Sequence, residues 1–342
     1  MLELDTRLTR RLDLAVPIVQ APIGSATCPA LAAAVADAGS LGMLAITWRG
    51  EDATREVVAA TLDRIGGTAG DAAGAVGVNI VLDPEAKDVP TETHVDAALD
   101  AGVEIISLSF GDVAPYVDRV HEQGGTLLAS VGSAQEAREA ANAGADVVVA
   151  QGWEAGGHVQ SEVATMPLVP RVGDAVPETP VVAAGGIADG RGIAAALTLG
   201  ADGAWLGTRF LATQEARVHE RYRERVTAAD ETETYYGTLF DEGWPGVPHR
   251  VLENEPVREW RAAGEPDVDR PGSDEVVVTT PDGDEVTRYK DSLAVPGMEG
   301  DIEELPLYAG QSAGLTDEVQ SAAALVDDLA AETTAALEQV GE

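Results

Sequence analysis

The chain has 342 residues, 45% of them hydrophobic, and its 22 Lys+Arg against 59 Asp+Glu leave a formal net charge of −37 at pH 7. A surface so acidic repels phosphate backbones and anionic lipid, which argues against nucleic acid and membranes as partners. The length fits about two domains, or one α/β barrel with an addition, and the single cysteine, Cys28, excludes an internal disulfide.

Eight short apolar runs follow one another at residues 16–21, 41–46, 75–81, 104–110, 126–131, 146–150, 180–184 and 203–206. Most are continuously apolar instead of alternating, as parallel strands covered on both faces must be. Stretches with helical spacing lie between them at 30–38, 53–65, 133–143 and 192–199, each closed by a glycine (Gly39, Gly66, Gly144, Gly200) in the C-cap position. The phrase AGADVVVA at 143–150 is echoed by LGADGAWLG at 199–207, the mark of repeated β/α units. Eight such units predict a closed (β/α)8 barrel, with an open doubly wound sheet as the rival. After Phe210 the pattern changes. Residues 217–229 read as a charged helix, and 230–306 mix Pro, Gly, Asp and Glu with little periodicity, so a small appended domain is expected over 213–306. Within it, 265–304 reads as an exposed acidic excursion with a hairpin turn at 281–284, where function is not expected. Helical spacing returns at 315–340, which reads as the last barrel helix.

In such a barrel the loops after the strands carry the chemistry. After the seventh run comes Ala184-Gly185-Gly186-Ile187, and after the eighth Leu206-Gly207-Thr208-Arg209-Phe210. Glycines let backbone N–H groups approach an anion closely, and helix N-termini add partial positive charge, so the two loops together predict a phosphate cradle. After the sixth run, Gln151-Gly152-Trp153-Glu154-Ala155-Gly156-Gly157-His158 ends a glycine loop in an imidazole. Histidine titrates near neutral pH, which makes His158 the candidate base or oxyanion donor. His94, His121, His219 and His249 read instead as surface or satisfied core residues. Gln20 and Asn79 stand in apolar strands, so their amides need either a polar ring to face or a neighbouring backbone to bind. Ser107 and Ser109 are weaker candidates, Cys28 reads as a small buried hydrophobe without a role, and no His/Cys cluster of metal-binding type is present.

The segments QAPIGSATCPALAAAVADAGSLG, GVN, AQGWEAGGH, AAGGIADG and LGTRF resemble the nitronate monooxygenase family, formerly the 2-nitropropane dioxygenases, and RVLENEPVREW with YAGQSAGL resembles its C-terminal parts. The resemblance implies an FMN-dependent enzyme on a TIM barrel at residues 1–212, completed by a final helix within 307–342, with a small, mostly helical domain inserted at 213–306. Carried over by position, Asn79, Gln151, Gly156, Gly157, Gly185, Gly186, Trp205, Leu206, Gly207 and Thr208 would bind FMN. Ala21, Pro22 and Ile23 would line its ring, Ile23 replacing a methionine common in the family, and His158 falls on the catalytic histidine. The implied reaction is oxidation of an alkyl nitronate by O2 to a carbonyl compound and nitrite. Trp48, Phe110 and Trp153 are the expected apolar wall. The alternative on the same scaffold is an NAD(P)H-dependent flavin reductase acting on quinones or enoyl-ACP thioesters. A monomer or homodimer fits equally.

Only Lys87 and Lys290 are lysines, and the acids are dispersed along the chain. Dispersed carboxylates keep a surface hydrated where molar salt screens their repulsion to about 3 Å. The first residues, MLELDTRLTRRLD, carry no apolar run of secretory type, and no window approaches the roughly 18 apolar residues of a bilayer span. A halophilic, cytoplasmic protein is therefore expected.

Overall fold

A computed structural model describes residues 4–66, 74–87 and 89–341. Its centre is a closed parallel barrel of eight strands: β1 (Ile18–Gln20), β2 (Leu41–Ala45), β3 (Ala75–Val81), β4 (Ile105–Ser109), β5 (Thr126–Val131), β6 (Val147–Gln151), β8 (Val181–Ala184) and β9 (Gly203–Leu206), with β7 (Gly157–His158) lying outside it. The barrel closes where β1 meets β9, with Val19 opposite Trp205 and Gln20 opposite Leu206. All eight apolar runs are barrel strands, each flanked by helices that cover the outer face.

The strand interior is filled by Val19, Leu41, Met43, Ile105, Leu128, Val147, Val149, Val182 and Trp205. Leu8 and Leu12 of the helix Arg7–Leu12 join them and plug the lower end, so the opposite mouth is the open one. Successive side chains point to opposite faces of a strand. Leu206, next to Trp205, therefore packs outward among the helices and not into the site where the resemblance places it. Gly42 shows how tightly that outer layer sits, because a Cβ there would lie 2.1 Å from the Ala32 carbonyl oxygen.

The chain leaves the barrel after Thr208–Leu211 and returns as the long helix Ala322–Gly341, which packs between the helices Gly190–Thr198 and Pro29–Asp37. The intervening insert carries as much strand as α-helix, with two short 3-10 turns at Ile302–Glu304 and Gln311–Leu315, where the resemblance implies a mostly helical one. Its helices are Glu220–Ala228 and Glu255–Ala262. Two small antiparallel sheets accompany them. In the first, β11 (His249–Leu252) pairs on one side with β10 (Thr234–Gly237) and on the other with β7 from the barrel loop; in the second, β12 (Val276–Thr279) pairs with β13 (Glu285–Thr287) and β14 (Glu299–Gly300). The expected hairpin is present, between β12 and β13. The segment around it is not a detached excursion, however. Tyr289 and Ala294 are fully buried, and residues 280–282, 284, 290–293, 295 and 298 line the barrel mouth.

Candidate active site

A cavity of about 1100 Å³ lies over the mouth of the barrel, roofed by the insert. Such a volume exceeds the usual range of about 300–1,000 Å³ for one small ligand. From the barrel side it is lined by Ala21, Pro22, Ile23, Asn79, Gln151, Gly156, Gly157, His158, Gly185, Gly186, Trp205, Gly207 and Thr208. Every catalytic, FMN-binding or ring-lining residue that the resemblance implies, except Leu206, therefore reaches one space.

Gly185 and Gly186 adopt φ values of +100° and +72°, a conformation that L side chains rarely take. A Cβ on Gly185 would approach the Gly152 carbonyl oxygen to 2.9 Å. Among the described residues, the N–H groups of both glycines donate to no protein acceptor. The following helix Gly190–Thr198 adds less than expected, because the Asp189 side chain already caps it through the Gly192 N–H and Glu332 accepts from the Gly190 N–H. Thr208 accepts a hydrogen bond from the Gly310 N–H at 2.9 Å, tying the eighth strand loop to the returning chain.

The amides divide. Gln20 takes the backbone alternative, accepting from the Met43 N–H at 3.1 Å and donating to the Ala21 carbonyl, and it does not line the cavity. Asn79 lines it while accepting from the Ser107 hydroxyl at 3.0 Å and lying 3.4 Å from the Ser109 hydroxyl. Gln151 acts on the loop that follows it. Its Nε2 donates to the His158 carbonyl at 3.1 Å and its Oε1 accepts from the Gln160 N–H at 2.7 Å, which bends the glycine loop back over the strand end.

His158 is thus pinned from below by Gln151 and from the side by β11, where its register partner is His249. Its side chain is 14% exposed, and Nε2 is buried without a hydrogen-bond partner. Burial lowers its pKa to about 4, so the ring is neutral across the physiological range. Trp244 of the insert lies 4.2 Å from it between ring centroids, and Tyr308 5.5 Å. The Trp244 indole N–H donates to Asp83 Oδ2 at 2.9 Å, latching the insert to the loop after β3. Phe110 stands edge-on to Trp244 at 4.9 Å, its backbone held in the left-handed region at φ 57°. Strain of that kind, about 1–3 kcal/mol, recurs at functional sites.

The expected wall needs one exchange. Trp48 and Phe110 line the cavity, but Trp153 turns away to stack on Arg250, whose Cζ lies 4.3 Å from its ring centre. Trp244 takes its place. Of the other histidines, His94 and His249 are buried with backbone partners, His121 meets Asp146, and His219 caps the helix Glu220–Ala228. Sequence reasoning missed Trp244, Asp291 and Tyr308. Only Tyr308 lay within a segment already singled out, YAGQSAGL; nothing local distinguishes Asp291 from the other acids of the insert. Among the described residues no group of three His, Cys, Asp or Glu could hold a metal ion, and no helix is long and apolar enough to cross a membrane.

The profile of the family described as Nitronate monooxygenase matches residues 5–332. A putative monooxygenase of Mycobacterium tuberculosis, Rv1533, is 39% identical over 240 residues, covering 70% of this chain and 61% of its own. The chain thus spans less than two thirds of that relative. A hydroxy-methyl-oxo-octahydro-indene-carboxyl-CoA dehydrogenase of the same organism is 37% identical over 259 residues, 75% of this chain and 68% of that one. The solved structure of FabK from Thermotoga maritima matches with a TM-score of 0.81 at 31% identity, covering 98% of both chains.

Proposed function

The chain belongs to the nitronate monooxygenase family, whose members are flavin-dependent oxidoreductases, and from that premise we propose that it oxidises alkyl nitronates with O2, using FMN, to a carbonyl compound and nitrite. The observation that carries this reading is the buried imidazole of His158, its Nε2 without a partner, in the wall of the same cavity as the left-handed Gly185–Gly186 turn. The turn fits a phosphate: its two N–H groups have no protein acceptor among the described residues, and side chains in place of these glycines would strain the backbone. Gly185, Gly186, Gly207 and Thr208 would hold the phosphate end, and Ala21, Pro22, Ile23, Asn79 and Gln151 the ring. When bound, FMN supplies the electron acceptor that links nitronate to O2.

The chain's own residues do the rest. Trp48, Phe110 and Trp244 give the cavity an apolar wall that excludes water from a reactive carbanion-like substrate. His158 donates to a nitronate oxygen through one ring nitrogen, or takes the α-proton of a neutral nitroalkane through a lone pair, and the second role needs the uncharged ring that its burial favours.

One observation favours a second reading, the NAD(P)H-dependent flavin reductase acting on quinones or enoyl-ACP thioesters. Trp48 is 49% exposed at the cavity rim, the Arg49 guanidinium carbon lies 5.7 Å from its ring centre, Arg217 lines the same cavity and is felt by Arg49, and neither arginine has a carboxylate within ion-pair range among the described residues. An exposed aromatic ring with a guanidinium beside it and a second cation lining the same cavity suits a base and its phosphates. Anaerobic mixing of the purified flavoprotein separates the two. A primary alkyl nitronate is expected to change the flavin absorbance rapidly and to give nitrite once O2 is admitted, while NADH and NADPH leave the oxidised spectrum in place. Rapid bleaching by NADPH with inertness toward nitronate would overturn the first reading in favour of the second.

A further inference from the structure

To ionise a neutral nitroalkane, His158 has to gain a proton inside an apolar wall, and a charge there needs a countercharge. Its Nε2 is out of solvent and bonded to nothing, and the group facing that atom is the Asp291 carboxyl, with Oδ2 at 3.8 Å. The other oxygen, Oδ1, accepts from the Tyr308 hydroxyl at 2.6 Å. The Asp291 N–H donates to the Glu242 carbonyl, and the Tyr308 carbonyl accepts from the Tyr222 hydroxyl, so both members of the pair are fixed. Burial pushes the Asp291 carboxyl above its ordinary range, as it pushes His158 down to about 4. Each group alone resists charge; side by side they can carry opposite charges.

The other ionisable neighbours do not compete. His249 uses both ring nitrogens, accepting from the Phe240 N–H and contacting the Val247 carbonyl, each at 3.1 Å. His249 and Lys290 bear on Asp291, and Asp291 and Asp241 bear on His249, but among the described residues neither His249 nor Lys290 makes a hydrogen bond or ion pair with the Asp291 carboxylate. Among the described residues, Asp291 is the carboxylate within ion-pair range of His158.

We infer that Asp291 is the positioning residue of His158: its Oδ2 accepts the Nε2–H of the neutral imidazole and holds the ring in the tautomer whose lone pair lies on Nδ1. This inference rests on the reaction proposed above. In the step it serves, the α C–H bond of a neutral nitroalkane breaks, its electron pair moves onto the nitro group to form the nitronate, and the proton goes to Nδ1. The imidazolium then stands against the Asp291 carboxylate, and the Tyr308 hydroxyl stabilises that carboxylate. Closing the gap to hydrogen-bond distance needs a movement of about 1 Å, within the tightening that substrate binding commonly brings.

The ring nitrogens can be read directly. In flavoprotein carrying isotope-labelled histidine, the two nitrogen shifts of each imidazole report its tautomer, and His158→Gln assigns the signals. The expected result is an Nε2–H ring in the unaltered protein and loss of that preference in Asp291→Asn. In parallel, Asp291→Asn is expected to lower turnover of a neutral nitroalkane by about 10²-fold or more, and Asp291→Glu to restore part of it. The fall should be at least about ten times smaller with preformed nitronate, which has no proton to lose. If Asp291→Asn fails to retain flavin and fold, Tyr308→Phe, which strips one donor from the carboxylate, should move the same shifts in the same direction by less. An Nδ1–H ring in the unaltered protein, or shifts unmoved by these substitutions, overturns the inference whatever the turnover. Unaltered protein that consumes neither nitroalkane nor nitronate sinks the proposed reaction instead, and leaves the tautomer result to be read on its own.

Discussion

Barrel and insert meet over one cavity and build their halves of it by different means. The barrel half is backbone: strands buried on both faces, aliphatic filling, and glycine turns at the strand ends. The insert has strands of two to four residues and is tied together by charge, with Arg288 reaching Glu259, Glu275 and Glu304, Arg270 reaching Asp241 and Glu242, and Arg221 and Arg225 sharing Glu303. What it adds to the cavity is side chains, chiefly Trp244 and Asp291. A rigid backbone holds the unvarying part of a ligand in place; the side chains over it set polarity and protonation for the part that reacts.

That division is tested most strongly where the halves touch. His158→Ala is expected to keep flavin, because the glycine turns are untouched, and to lose about 10²–10⁴ in turnover of neutral nitroalkanes. Unchanged turnover would reduce His158 to a structural residue. The pH dependence sharpens the point. Burial lowers the folded-state pKa to about 4, so the neutral base persists as pH falls past the ordinary histidine value of about 6.5. Burial alone puts the acid limb of turnover near pH 4, and a limb near 6.5 would show either a solvated ring or one already paired with the Asp291 carboxylate, which Asp291→Asn tells apart by moving only the paired one.

A smaller effect is expected from the barrel half alone. Gly185→Ala forces an L side chain into a backbone with φ +100° and places its Cβ 2.9 Å from the Gly152 carbonyl oxygen. The left-handed conformation alone costs about 1–2 kcal/mol; the free turn is expected to relax away from it, and flavin, having to restore it, binds about tenfold more weakly. Flavin fluorescence titration should show that weakening, with the pH limb unmoved in the protein that remains loaded. A shift of the limb would mean that the two halves are not separable in this way.

The same contrast explains what could be read before the fold was known. Each barrel strand is a contiguous apolar run, so its pattern is local, and the glycine turns advertise themselves by composition. The helices Ala114–Glu122 and Thr165–Ala175 carry prolines at Pro115, Pro167 and Pro170, which hide their spacing. In the insert the signal fails for a physical reason: strands this short have no period to detect, and ion pairs such as Arg288–Glu304 join residues with no sequence relation. Asp291 reads as one more solvated acid in an acidic excursion, and only the closing of that segment over the mouth brings it to His158. Trp153 was misread for the opposite reason, since its neighbours at the glycine loop do face the cavity while its own ring stacks on Arg250 behind the loop.

The smallest expected effect comes from salt, and it weighs the halves against each other. At 1 M KCl the screening length is about 3 Å, which removes repulsion among the exposed carboxylates that leave the chain at −37. The same screening weakens exposed pairs such as Arg261–Glu253, at 43% and 31% exposure, each worth about 0–1 kcal/mol. Arg288–Glu304, at 9% and 8%, is shielded by protein and should survive. Because the surplus of acid is spread over the whole surface while the exposed pairs are few and individually weak, the melting temperature is expected to rise from dilute buffer to molar KCl, by about 2–4 °C for each kcal/mol gained. A fall would mean that the charge ties of the insert outweigh the repulsion, and turnover should then fail at a lower KCl concentration than flavin binding does, because the roof would lift from a barrel that still holds its ligand.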